Sequence, residues 1–155
     1  MKYFVTGVAG FIGSHFIKMV LSADTSAEVL GVDSLSYAGD VSRLNDVSDN
    51  PRLNFVQADI CDSNTMKSLI KGCDSVFHFA AQSHVDRSLQ NCAEFFRSNC
   101  YGTQVLLDVS AECNVKRFIH VSTDEVYGSR PEGFFKESDR YNPTNPYSVS
   151  KTAAE

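Results

Sequence analysis

Tyr3-Phe4-Val5-Thr6-Gly7-Val8-Ala9-Gly10-Phe11-Ile12-Gly13 is the stretch whose reading decides the fold. Tyr3–Thr6 is a short apolar run rich in β-formers, and Phe11–Leu21 carries apolar residues at helical spacing. Gly7, Gly10 and Gly13, three residues apart, run from the strand end into the helix start. A G-x-x-G-x-x-G match is weak alone and also suits a glycine turn with no ligand. Here it follows a strand and opens a helix at the head of a βαβ unit, the context that dinucleotide binding requires. Gly7 permits the tight turn, Gly10 lets the backbone approach a pyrophosphate, and Gly13 lets the helix pack close to the strand. The helix start at Phe11 and Ile12 offers unpaired N–H groups and partial positive charge.

Beyond this unit the pattern keeps alternating. Glu28–Asp33, Leu53–Ala58, Ser75–Ala80 and Lys116–Ser122 read as further strands. Helical stretches are expected near Val41–Val47, over Asn64–Lys71, as one long helix over Cys92–Cys113, and from Pro146 with Asn145 as its cap. Near-continuous apolar strands linked by helical crossovers predict an α/β fold: a doubly wound, Rossmann-like parallel sheet of five strands in the order 3-2-1-4-5, with helices on both faces. The whole of 1–155 reads as one dinucleotide-binding domain that breaks off within the helix carrying Tyr147 and Lys151.

Composition narrows the partners. The net charge of −5 argues against nucleic acid or an anionic membrane. No run approaches the roughly 18 apolar residues of a membrane span. Met1 leads directly into the first strand pattern, so no signal peptide is expected. Five cysteines without a C-x-x-C pair read as reduced thiols in a cytoplasmic protein, and neither they nor the four histidines show metal-ligand spacing.

The strand ends supply candidate ligand contacts. Asp33, 20 residues after Gly13, is placed to accept the ribose hydroxyls of an adenosine and to repel a 2′-phosphate. No arginine follows it directly, which favours NAD over NADP. Asp59 and Ile60 end the third strand, where they can hold the adenine edge. Ala80 and Ala81 leave room for a cofactor beside the fourth.

Chemistry is written later in the chain. Tyr147 and Lys151 are four apart on a helix and share a face. A phenol with a pKa of about 10 must drop by roughly three units, about 4 kcal/mol, to act as a base near neutrality. A neighbouring ammonium and a nicotinamide cation can do that. Thr123, Asp124 and Glu125 follow the fifth strand at its carboxyl end, the edge where open α/β sheets bind ligands. Two adjacent acids also suit a solvated turn. If both face a crevice, unlike surroundings can leave one a proton donor and the other a base.

Together these stretches resemble the extended short-chain dehydrogenase/reductase family and, within it, the dTDP-glucose 4,6-dehydratases. The likeness rests on Thr6–His15, Asp33-Ser34-Leu35-Ser36-Tyr37-Ala38-Gly39, His78–Ser88 with Ser83-His84-Val85-Asp86-Arg87-Ser88, Ser122–Gly128 and Pro146–Lys151, and it covers essentially all 155 residues. It implies an NAD-dependent loss of water from a nucleotide sugar, dTDP-glucose giving the 4-keto-6-deoxy sugar. Tyr147 would deprotonate the 4-hydroxyl, Thr123 would bind the same oxygen, Glu125 would remove the C5 proton and Asp124 would protonate the departing 6-hydroxyl. Lys151 would support Tyr147 and hold a ribose, and Ser83, His84 and Asp86 would line the nicotinamide or hexose. Gln82 stands where this branch often has Glu; related CDP- and GDP-sugar dehydratases often carry Gln. A CDP-, GDP- or UDP-sugar dehydratase or epimerase is therefore an alternative. Family members are expected to be about twice this length and homodimeric, with a C-terminal region that reads the nucleotide. A catalytically silent NAD-binding fragment is the remaining alternative.

Overall fold

The computed structural model describes residues 1–155. In chain order the elements are β1 (Lys2–Thr6), α1 (Phe11–Ala23), β2 (Glu28–Asp33), a 3₁₀ segment (Val41–Val47), β3 (Leu53–Gln57), α2 (Ser63–Ile70), β4 (Ser75–His78), α3 (Val85–Gln90) and α4 (Cys92–Phe95). A π-helical turn (Phe96–Tyr101), α5 (Gly102–Glu112), β5 (Arg117–His120), a 3₁₀ turn (Asp124–Tyr127) and α6 (Pro146–Thr152) complete the chain. They form two compact units. One comprises Met1–Ala80 with Val105–Val121, the other Ala81–Gln104 with Ser122–Glu155.

The first unit holds the sheet, five parallel strands in the order β3-β2-β1-β4-β5. This is the expected order. Alternation along each strand feeds two cores. Phe4, Leu30, Val32 and Val76 join Met66 and Ile70 of α2 on one face, while Val5 and Val29 join Ile17, Leu21 and Leu44 on the other. In β2 every residue after Glu28 is buried, as a strand covered on both faces must be.

Two glycines let α1 start where it does. Gly7 has φ of +72°, and a Cβ there would lie 2.7 Å from the Ala80 nitrogen. A Cβ on Gly13 would lie 2.1 Å from the Gly7 carbonyl oxygen, so α1 approaches β1 at backbone distance. The far end of α1 has no basic residue in its last turn. Arg52 caps it instead, donating from Nη2 to Leu21 O (2.6 Å) and from Nη1 to Asp24 O (2.8 Å) and Ala27 O (3.2 Å).

The second unit departs from the expected elements. The run expected as one helix from Cys92 to Cys113 is α4, a π-helical turn and α5 in succession. The Asn99 side chain explains the change of register: its Oδ1 accepts the Gln82 N–H (2.7 Å), and its Nδ2 donates to Gln82 O (2.8 Å) and Ser150 Oγ (2.9 Å). A π turn re-aims a residue within a helix. A further helix, α3, forms over Val85–Gln90, where the polar sequence carries little apolar periodicity. In the first unit, strands β3, β4 and β5 are shorter than expected, ending at Gln57, His78 and His120.

Arg52→Met keeps the side-chain stem but leaves three part-buried carbonyls without their charged donor. It is expected to lower stability by about 2 kcal/mol, read as a lower urea midpoint at unchanged slope. An unchanged midpoint would show that water replaces the guanidinium at no cost.

Candidate active site

In the sheet unit, the glycine loop is pinned from the strands beneath it. Gly7 N–H donates to Val32 O (2.8 Å) and Gly10 N–H to Gly7 O (3.1 Å). The first helical bond of α1 is Ser14 N–H to Gly10 O (3.1 Å). The N–H groups of Phe11, Ile12 and Gly13 precede it and form the helix's positive end. The side chains of Phe11 and Ile12 are largely exposed, at 72% and 59%. Gly10 is half-buried, and a Cβ there would lie 3.1 Å from the Gly7 carbonyl oxygen, a tight contact that favours glycine and leaves the loop bare of side chain at that point. The open approach is what a pyrophosphate needs. These residues therefore fit a dinucleotide.

Asp33 ends β2 and is buried. Its Oδ2 accepts Ala9 N–H (2.9 Å) and its Oδ1 accepts Leu35 N–H (2.8 Å). A carboxylate has about four lone-pair directions, so each oxygen keeps acceptor capacity for a ribose hydroxyl. Asp59 Oδ1 accepts Cys61 N–H (2.9 Å). The side chain of Ile60, expected at the adenine edge, is buried in the core with Met66 and Ile70. The place of Ala80 beside Thr6 is fixed by its N–H, which donates to Thr6 Oγ1 (3.1 Å).

 Ala80 itself is partly buried against the same core.

The second unit holds Ala81, Ser83, His84, Asp86, the acid pair and the tyrosine–lysine pair. Thr123 opens the 3₁₀ turn, its Oγ1 accepting Glu125 N–H (3.3 Å) and donating to Asp124 Oδ1 (3.4 Å). Asp124 is exposed and Glu125 half-buried, so the two acids occupy unlike surroundings. Glu125 Oε2 accepts a hydrogen bond from Asn145 Nδ2 (3.0 Å). Asn145 is also the cap of α6: its Oδ1 accepts Ser148 N–H (2.8 Å), and Ser148 Oγ accepts Asn145 N–H (3.2 Å), a reciprocal capping box. One side chain thus joins the acid turn to the helix of Tyr147 and Lys151.

α6 packs on α3, α4, the π turn and the 3₁₀ turn. Tyr147 is half-buried, its ring edge-on to Phe95 with centroids 6.5 Å apart. Lys151 is 4% exposed, and burial pulls its ammonium down from 10.5 to about 8, with Glu155 opposing the shift. Ser83 and His84 are exposed just ahead of α3, and Asp86 is exposed in its first turn. Ala81 is half-buried. Two features had only faint sequence signals. Asn99 is a polar residue inside an apolar helical run, and Gln82 Nε2 donates to Glu94 Oε1 (3.0 Å) across 12 residues of chain.

Comparison with known proteins gives the family. The GDP-mannose 4,6 dehydratase family model matches residues 4–155. A dTDP-glucose 4,6-dehydratase of Actinoplanes sp. is 45% identical over the whole chain, which covers 50% of that protein. The chain spans about half the length of the curated relatives it matches. Among solved structures, a dTDP-glucose 4,6-dehydratase from Streptomyces venezuelae with NAD and TYD bound superposes with a TM-score of 0.96 at 44% identity, over 99% of this chain and 49% of that one. A UDP-glucuronic acid 4-epimerase from Bacillus cereus, in complex with UDP-glucuronic acid and NAD, gives 0.92 at 31% identity, over 99% and 50%. With its glycine loop, acid turn and tyrosine–lysine helix all inside the matched region, the chain belongs to the GDP-mannose 4,6 dehydratase family.

Proposed function

We propose that this chain is the NAD-binding, catalytic-residue-bearing portion of a nucleotide-sugar 4,6-dehydratase acting on dTDP-glucose in the cytoplasm. One observation carries the reading: Asn145 bonds the Glu125 carboxylate while capping the helix of Tyr147 and Lys151. A dehydrogenase needs a base for the hydroxyl but no acid pair. Elimination of water needs a second base and a proton donor.

NAD would lie with its pyrophosphate over Gly7, Gly10, Phe11, Ile12 and Gly13 and its adenosine ribose on Asp33, with Asp59, the Ile60 backbone, Ala80 and Ala81 along the cofactor path. When bound it supplies the electron acceptor and donor at the sugar. Tyr147 takes the proton of the 4-hydroxyl, and the Thr123 hydroxyl orients that oxygen. The ketone formed at C4 acidifies the C5 proton, which Glu125 removes. Asp124, in its more exposed setting, returns a proton to the departing 6-hydroxyl. Lys151 stabilises the phenolate of Tyr147, and Ser83, His84 and Asp86 hold the hexose. A nucleotide-sugar epimerase is the second reading, favoured by the Bacillus cereus likeness; the acid pair argues against it, because epimerisation expels no water.

Incubation with NAD and dTDP-glucose is expected to yield the 4-keto-6-deoxy sugar by mass. Glu125→Gln should stop the reaction after oxidation, with NADH absorbance building up. Tyr147→Phe should give no NADH. Equal residual turnover in the two variants would sink these roles, and NAD binding without any turnover would reduce the chain to a binding module.

Burial of Lys151 sets a pH dependence. Its folded-state pKa of about 8 lies below the ordinary 10.5. Between those values the unfolded chain binds a proton that the folded chain has released, so stability rises with pH across the window. The gain attributable to this group is about 3 kcal/mol from 1.36 kcal/mol per unit. Subtracting the urea-stability profile of Lys151→Met from that of the parent should isolate it; parallel profiles between pH 8 and 10.5 would contradict it.

A further inference from the structure

We propose that Arg43 is a positioning residue for the dinucleotide, holding the Ala9–Gly10 peptide so that the first N–H groups of α1 are aimed before the pyrophosphate arrives. The inference rests on the NAD reading above. Ala9 is fully buried at the middle of the glycine loop, yet both its backbone groups are held from outside the loop. Its N–H donates to Asp33 Oδ2 (2.9 Å). Its carbonyl accepts from Asp40 N–H (3.0 Å) and from Arg43 Nη1 (2.8 Å).

The carbonyl of Ala9 and the N–H of Gly10 belong to one rigid plane. Two donors on the carbonyl therefore fix the N–H on the opposite side, which bonds Gly7 O at 3.1 Å. The next three N–H groups are those of Phe11, Ile12 and Gly13, ahead of the first helical bond. Their direction is inherited from that plane. Arg43 contributes the charged donor of the two, and hydrogen bonds from charged groups are the stronger kind.

The same Nη1 also donates to Ala38 O (2.7 Å), so Arg43 clips the returning segment 38–40 onto the loop. That segment is packed tightly onto the turn after β2: Leu35 there has φ of +55°, and a Cβ on Gly39 would lie 2.8 Å from the Leu35 Cα and 2.9 Å from Asp33 Oδ1. Arg43 belongs to neither apolar core and is half-buried. Its bonds go to backbone carbonyls beside the ligand loop. Ordering a long side chain there has a clear return in a binding site that is pre-organised.

The test measures binding of NAD, ADP-ribose and adenosine to this chain and to its Arg43→Ala and Arg43→Lys variants, by calorimetry and ligand-observed NMR. Arg43→Ala should weaken NAD and ADP-ribose about tenfold, the loss of roughly one charged hydrogen bond, while adenosine, which lacks the pyrophosphate, keeps its affinity. Arg43→Lys, whose ammonium can reach both carbonyls with separate protons, should restore most of the loss. The loss should persist at high salt, where long-range attraction of an anionic ligand is screened. Unchanged NAD binding in Arg43→Ala overturns the proposal. So does a loss that vanishes at high salt, or an equal loss for adenosine with a lowered melting temperature, which would make Arg43 a stabiliser of the fold. A parent chain that binds adenosine but neither NAD nor ADP-ribose overturns the NAD reading and this inference with it.

Discussion

Helix α1 meets β1 at backbone distance, and the form of the glycine loop follows from that contact. No side chain fits between Gly13 and the Gly7 carbonyl, where a Cβ would lie 2.1 Å from oxygen. The helix start is thereby locked to the carboxyl end of β1. Parallel pairing then brings the ends of β2 and β4 alongside, since Thr6 is in register with Val32 and His78. Asp33 can reach Ala9 N–H only because this register holds. The loop's shape is thus a consequence of sheet geometry, with glycine removing the steric obstacle between α1 and β1.

The same geometry explains what could be read from the residues alone. A strand covered on both faces must be an apolar run, so β2 was plain as Glu28–Asp33, and right-handed crossovers left few strand orders to consider. Partnerships distant in sequence were not legible. Asn99 chooses a π turn because its amide finds Gln82, 17 residues away, and Ser150, 51 away. Neither partner is implied by local periodicity, which reads Cys92–Cys113 as uninterrupted helix. α3 is hard to read for another reason: its only apolar residues are Val85 and Leu89, a single i,i+4 pair among polar neighbours, and Leu89 is exposed.

At the candidate site, residue types were legible and their coupling was not. Asn145 is a conventional cap by its position before Pro146, but a cap needs only the amide oxygen. Capping leaves the amide nitrogen free for another partner, and it is the nitrogen that bonds Glu125. Arg43 escaped similarly. The absence of an arginine directly after Asp33 speaks to a 2′-phosphate, whereas Arg43 reaches the loop from the 3₁₀ segment ten residues on and contacts only backbone.

α6 carries this logic to its limit. Its buried residues are Ser148, Ser150 and Lys151, while Val149 between them is 37% exposed. An amphipathic helix held by apolar burial shows the reverse pattern. α6 is held instead by the Asn145 amide on Glu125, the Asn99 amide on Ser150 and the edge-on contact of Tyr147 with Phe95, while its capping box secures the helix start. Burying an ammonium in such a setting depresses its pKa, and Lys responds to burial in this way where Arg stays charged. A helix that places serines and a lysine inward gives up the stability an apolar face would contribute. That sacrifice is understandable where the inward face has chemistry to perform, and it is the strongest structural reason to regard Tyr147 and Lys151 as working residues rather than as a helix surface.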